Sequence, residues 1–257
     1  MQDYLLTEAN RNRLARAFGD VMRVDLAIDC IIEGQMGRAF VDDSEAPESF
    51  MIRTGPLCYF AGVSDSEGGR AMMANLDRYS IIMPSVEGWI ELARSVHGKR
   101  LFQFPRYSFS SDRLSSGHVD QLLRSSPHQG SIAPIDSNIA AEIANLPDHF
   151  VDLSDYDSPE DFARRGIGYC LLKGREVVAA AFSSLICSRG AEMSIFVMPE
   201  FRRKGVATAL ACAVIKDCLE RRLEPHWDAA NVESCLLAEK LGYVQTGTYD
   251  AYFLTDS

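Results

Sequence analysis

No pair of cysteines in this chain is spaced Cys-x-x-Cys, and the seven cysteines stand singly, most of them in apolar segments. That excludes the common zinc and dithiol redox patterns and reads as reduced core residues, so neither a disulfide set nor a metal is expected. Long apolar runs are missing as well: nothing approaches the roughly 20 residues of a membrane-spanning helix, and Met1-Gln-Asp-Tyr-Leu-Leu-Thr-Glu lacks the basic and apolar regions of a signal peptide. No membrane partner is expected, and the expected place is the cytoplasm. Basic residues are the minority, 26 Lys and Arg against 36 Asp and Glu for a formal charge of −10. A nucleic-acid partner, which needs a basic surface, is therefore not expected, while a cationic substrate such as an amine is compatible with the balance. There is no Gly-x-x-x-x-Gly-Lys-Ser/Thr loop, which leaves a nucleotide-phosphate enzyme without its main motif.

What is present is an ordinary globular composition, 47% apolar and 24% charged over 257 residues, enough for one large domain or two small ones. Along the chain, Thr7 to Met22 places Leu14, Ala17, Phe18 and Val21 on one face and predicts an amphipathic helix. A shorter apolar stretch around Leu26 to Ile32 predicts a second. Arg38 to Val41, Phe50 to Arg53 and Leu57 to Gly62 read as a three-strand meander. Val63 to Arg70 reads as an acidic, Gly-containing loop. Tyr79 to Met83 predicts a strand, Ser85 an N-cap, Val86 to Val96 a helix closed by Gly98, and Leu101-Phe-Gln-Phe a further strand.

Ser108 to Gly130 is rich in Ser, Gly and His and is where the domain boundary is expected, giving 1–128 and 129–257. In the second half, Ile132 to Ile135 opens a sheet, Ser137 caps a helix, and Val151 to Ala163 reads as a loop with a short helix. Gly168 to Leu172 and Val177 to Cys187 form a hairpin across Lys173-Gly174-Arg175-Glu176, with Glu192 to Val197 beside it. A helix from Arg202 to about Arg222, a strand from Leu223 to Asp228, a helix from Val232 to Leu241 ended by Gly242, and a last strand or pair over Tyr243 to Phe253 complete the chain. The fold class is α+β. Similar element order in the two halves suggests an internal duplication with a degenerate first copy; an unrelated α+β domain of similar order is an equal alternative.

The stretch that says most is Glu192 to Leu210. A short strand turns through Pro199 and Glu200 into a helix start bearing Arg202, Arg203, Lys204, Gly205, Val206, Ala207 and Thr208. The first N–H groups of a helix have no intrahelical partner and the helix dipole adds positive charge there, so an anion is stabilised at that end. Gly205 and Ala207 keep bulk away from approaching oxygens. Three consecutive cations oppose the dipole, so a bound polyanion accounts for them better than stability does.

Arg202-x-x-Gly205-x-Ala207 after a strand resembles the pyrophosphate-binding signature of the GCN5-related N-acetyltransferases (GNATs). A second stretch, Asn231-Val-Glu-Ser-Cys-Leu-Leu-Ala-Glu-Lys-Leu-Gly-Tyr, resembles the segment after that family's fifth strand. The resemblance implies a GNAT-like mixed sheet flanked by helices over 129–257, with the N-terminal domain shaping an acceptor site. It implies acetyl-coenzyme A as co-substrate, held by Arg202 to Thr208, by Asn231 and Ser234, and by the backbone of Ile195, Phe196 and Val197, where the family's fourth strand parts from its fifth. The implied reaction is acetyl transfer to an amine, with a small-molecule acceptor expected and a homodimer left open. Glu192 is the candidate base. The family's usual Tyr, seven residues after the Asn, is here Ala238, so the thiolate's acid is another group such as Ser234, Tyr249 or Tyr252, or solvent, or else the chain is a weak catalyst. His226 is ranked only as a substrate-side residue. The rival reading is a noncatalytic protein that binds or senses acyl-coenzyme A.

Overall fold

The computed structural model describes residues 1–86, 88–146 and 153–255. Glu87, expected in the helix after Ser85, and Val151 and Asp152, expected in an acidic loop, lie outside the described residues. The chain divides into two compact units, 1–106 with 248–257, and 107–247.

The first unit begins with β1 (Gln2–Asp3), α1 (Glu8–Ala17) and α2 (Ala27–Ile32). Helix α1 starts at Thr7, whose hydroxyl accepts from Asn10 N while the Asn10 side chain accepts from Thr7 N, a reciprocal cap. It ends at Ala17, earlier than its apolar spacing suggests. The meander follows as β2 (Arg38–Val41), β3 (Ser49–Thr54) and β4 (Leu57–Gly62). The expected acidic loop is in part a helix, α3 (Glu67–Ala74). Ser66 caps it by accepting from Gly69 N, and Glu67 in the first turn suits the dipole. Next come β5 (Ile81–Ile82), α4 (Trp89–His97) and β6 (Leu101–Ser110). Ser85 does not cap α4. Its hydroxyl accepts from Phe60 N and donates to Met83 O, and α4 starts after Gly88, held at φ 90°.

The second unit contains α5 (Ser116–Arg124), β7 (Ile132–Pro134), α6 (Ser137–Ala144), α7 (Pro159–Arg165), β8 (Gly168–Lys173), β9 (Glu176–Ile186), β10 (Gly190–Val197), α8 (Val206–Glu220), β11 (Glu224–His226), β12 (Asp228–Ala229), α9 (Val232–Leu241) and the start of β13 (Val244–Leu254). Asp136, not Ser137, caps α6 by accepting from Ile139 N. The Ser-rich stretch expected to carry the boundary folds as α5, capped by Ser115, with Val119 in the core of the second unit.

Sheet order in the first unit is β1-β2-β3-β4-β5-β13-β6, with β4 and β5 parallel and Tyr252 of β13 opposite Ile82. The first unit is thus completed by a strand from the far end of the chain, which a single boundary at 128/129 does not anticipate. In the second unit the order is β11-β10-β9-β8-β7, with only β10 and β11 parallel, and β12 pairs with the far end of β6. Both units run through an antiparallel meander, a crossover helix, a parallel strand, a second helix and a strand. Helix α8 is buried almost all round, packed on β8, β9, β10 and β11 and on α5. Each fully buried apolar side chain along it, such as Leu210 or Ile215, contributes about 2 kcal/mol. That burial anchors the α8 N-terminus against the sheet.

Candidate active site

Strand β10 pairs with β11 over three residues only, Gly190 with Glu224, Ala191 with Pro225 and Glu192 with His226. Gly190 is required by the closeness of that pairing: a Cβ there would stand 2.3 Å from Glu224 O. A bulge falls between Glu192 and Met193, and from Met193 to Val197 the strand is paired with β9 alone. Among the described residues no strand pairs with the other edge of this segment, so a row of backbone groups borders the space where β10 and β11 part. Met193 and Ile195 pack against the core beneath α8 and α9.

At the end of β10, Pro199–Phe201 forms a single turn, and α8 starts only at Val206. The cations therefore lie in the loop before the helix, not in its first turn. The reason is backbone conformation: Arg203 (φ 60°) and Gly205 (φ 82°) are both left-handed, which stops the helix from starting earlier. Left-handed residues in such alternation are the backbone pattern of anion nests in general, and here they are followed by Val206, Ala207 and Thr208 at the positive end of α8. Arg203, Lys204 and Gly205 are exposed, and a Cβ at Gly205 would meet no atom within 4 Å. The loop is open to solvent on this side. Arg202 turns back, its Nε donating to Val197 O at 2.9 Å, so part of this residue closes the turn.

Three further cations or donors gather here that motif reading missed. Lys240 Nζ lies 3.2 Å from Thr208 Oγ1 in the first turn of α8. His128 donates through Nε2 to Lys204 O at 2.9 Å. Lys173 Nζ and Lys204 Nζ lie 5.7 and 5.5 Å from the centre of the Phe201 ring. None has a local motif; they meet only through the tertiary fold.

Asn231 caps α9, accepting from Ser234 N at 2.9 Å, and Ser234 Oγ accepts from Trp227 Nε1 at 3.2 Å. Ala238 is buried in the core under α8 and α9, so no hydroxyl stands at that position. Tyr249 and Tyr252 belong to the first unit, where their hydroxyls accept from Arg106 Nε and Arg94 Nη2, each at 3.1 Å. They are not among the residues gathered in the second unit. Glu192 is buried rather than an exposed strand end, with Oε2 2.8 Å from His226 Nδ1. Tyr243 donates to Pro225 O at 2.9 Å, and burial holds its phenol well above the usual tyrosine range, so it stays protonated.

In the first unit the equivalent place is filled by protein. Where β4 and β5 part, Phe60 N is taken by Ser85, the Trp89 ring stacks on Phe60 at 4.8 Å, and Trp89 Nε1 donates to Gly62 O. Asp65 and Glu67 lead into α3 there, in place of a basic loop.

A model of one family, described as GNAT acetyltransferase, matches residues 18–252. The chain belongs to the GNAT acetyltransferase family. This GNAT chain is 25% identical over 261 residues to the uncharacterized N-acetyltransferase YdfB of Bacillus subtilis (strain 168), covering 96% of this chain and 97% of that protein. It is 31% identical to a GCN5-related N-acetyltransferase-like protein from Streptococcus suis 89/1591, with a TM-score of 0.82, covering 95% of this chain and 98% of that one. An acetyltransferase from the GNAT family from Colwellia psychrerythraea shares the fold at a TM-score of 0.53 and 10% identity, over 98% of both chains. The sequence-level resemblance, the α+β fold of mixed sheets flanked by helices and the assignment as a transferase of acetyl groups all stand on these matches. Among the described residues no helix is long and apolar enough to cross a membrane.

Proposed function

We propose that this GNAT enzyme moves an acetyl group from acetyl-coenzyme A to an amine of a small molecule. The observation that carries the reading is the conjunction of an open, cationic, left-handed loop at the start of α8 with the edge of β10 that leads into it, along which no second strand pairs among the described residues. In this reading the loop Arg203–Thr208 and the side chains of Lys204 and Lys240 hold the diphosphate. The backbone of Ile195 and Phe196 meets the pantetheine amides as a further strand would, and Val197 guides the turn with Arg202. Asn231 fixes the first turn of α9, and Ser234 is the hydroxyl proposed to protonate the departing thiolate. Deprotonation of the amine depends on Glu192.

The test is release of coenzyme-A thiol from acetyl-coenzyme A over a panel of small primary amines. Turnover with at least one amine, above hydrolysis without it, is the expected result. Binding of coenzyme A with no turnover on any amine supports the acyl-coenzyme A sensor instead.

A further inference from the structure

We propose that His128 is a positioning residue for the coenzyme: it holds the peptide between Lys204 and Gly205 so that Gly205 N–H is turned toward the diphosphate. The proposal rests on the coenzyme-binding part of the reading above and adds to it a residue from outside the loop. His128 lies 76 residues before Lys204, in a Ser- and Gly-rich stretch that reads by composition as a linker.

His128 is itself held in place. Its N–H donates to Ser126 Oγ at 3.2 Å, and its carbonyl oxygen accepts from Ser131 N at 2.9 Å and Ile132 N at 3.2 Å, at the entry to β7. That turn fixes the backbone from which the ring reaches Lys204 O, 2.9 Å from Nε2. A carbonyl oxygen can only accept, so Nε2 carries the hydrogen in this contact. The peptide between Lys204 and Gly205 is trans, and in a trans peptide the C=O and N–H point in opposite directions. Drawing Lys204 O toward the ring therefore turns Gly205 N–H away from it.

The residue under the clamp makes the clamp necessary. Gly205 stands at φ 82°, and glycine takes either sign of φ at little cost, so its own chemistry does not stop this peptide from turning over. Its surroundings do not stop it either, since a Cβ there would meet no atom within 4 Å. Turned over, the peptide would present the partial negative charge of Lys204 O where Gly205 N–H now points, and an anion there would be repelled. Arg203, beside it, is left-handed at φ 60°, a state that persists for a residue with a Cβ only where its neighbours over-determine it. Arg202 provides one hold, with its N–H donating to Pro199 O at 3.2 Å and its Nε to Val197 O at 2.9 Å. His128 provides the other, on the side next to α8. Among the described residues Gly205 N has no hydrogen-bond acceptor, so it stands as a donor beside the first N–H groups of the helix.

The test is calorimetric titration of coenzyme A into wild type, His128→Ala and His128→Gln, with each fold confirmed by its melt. The Gln amide can donate from about the place of Nε2; Ala cannot. H128A is expected to bind coenzyme A about 10-fold more weakly and H128Q within about threefold of wild type. In turnover the H128A loss should fall on KM for acetyl-coenzyme A rather than on kcat, because the clamped group is remote from the reacting carbonyl. In nitrogen-labelled protein the Gly205 amide signal should move on adding coenzyme A to wild type and H128Q, and move less in H128A. Long-range proton–nitrogen NMR of wild type should show hydrogen on His128 Nε2. A folded H128A that binds coenzyme A within about twofold of wild type, an H128Q as weak as H128A, or a wild-type His128 with hydrogen on Nδ1 alone overturns the proposal and leaves the coenzyme reading standing. Wild-type protein that binds no coenzyme A overturns that reading, and this proposal with it.

Discussion

Replacing Gly190 by Ala tests whether the short parallel contact of β10 and β11 sets the geometry of the site. A Cβ at 190 would lie 2.3 Å from Glu224 O and 2.9 Å from Glu224 Cβ, against backbone that cannot swing aside as a side-chain end could. Relieving that overlap requires β11 to retreat by about 1 Å, and the pair is only three residues long. Overpacking of this kind costs about 2–3 kcal/mol, which for a chain of this size lowers Tm by about 4–12 °C. The control is Gly205→Ala, where the added Cβ meets nothing and only the positive φ is penalised, by about 1 kcal/mol. Thermal melts followed by circular dichroism should therefore rank G190A well below G205A. A G190A protein melting within 2 °C (about 0.5–1 kcal/mol) of wild type would refute the close-packing argument.

Asn231→Ala removes the α9 cap and should cost about 1 kcal/mol in chemical denaturation, with turnover reduced only as far as the helix start loosens. Asp161 is held below its ordinary carboxylate value by hydrogen bonds from Arg165, against the opposing effect of burial. A depressed folded value means stability present above the ordinary carboxylate range and lost as pH falls through the folded value. Asp161→Asn should thus lose about 2 kcal/mol at neutral pH, and the difference from wild type should vanish on acidification; a constant gap would contradict the assignment. All seven cysteines are buried, and burial pushes the thiols of Cys58, Cys170 and Cys212 up to about 11 and Cys218 up to about 12. Ellman's reagent at pH 8 should therefore find essentially no reactive protein thiol until denaturant is added, which also makes that reagent a clean reporter of coenzyme-A release.

What the sequence made legible was local. Asn231 and Gly242 announce the ends of α9 because an N-cap and a left-handed C-terminal residue are chosen by their own backbone. The meander and the turn from β10 toward α8 were readable for the same reason. The start of α8 was misplaced by four residues because the left-handed state of Arg203 leaves no trace in residue type. Helix α5 was hidden by Ser116-Gly117-His118, poor helix formers that packing of Val119 overrides. The join of Thr248–Ser257 to the first unit, and the meeting of Glu192 with His226 across 34 residues, are matters of strand register between distant segments, for which no spacing rule exists. Ser85 was assigned a cap by pattern, yet its hydroxyl is used where β4 and β5 part, in the place that the second unit leaves open.

The most direct measurement is calorimetric titration of coenzyme A into wild-type protein and into the Arg203→Glu, Gly205→Glu double variant, with folding of each confirmed by its melt. Reversing a charge and filling an open cradle should weaken binding by about 100-fold or more, with wild type binding coenzyme A measurably. Equal affinity in two equally folded proteins would contradict the claim that the loop before α8 holds the diphosphate.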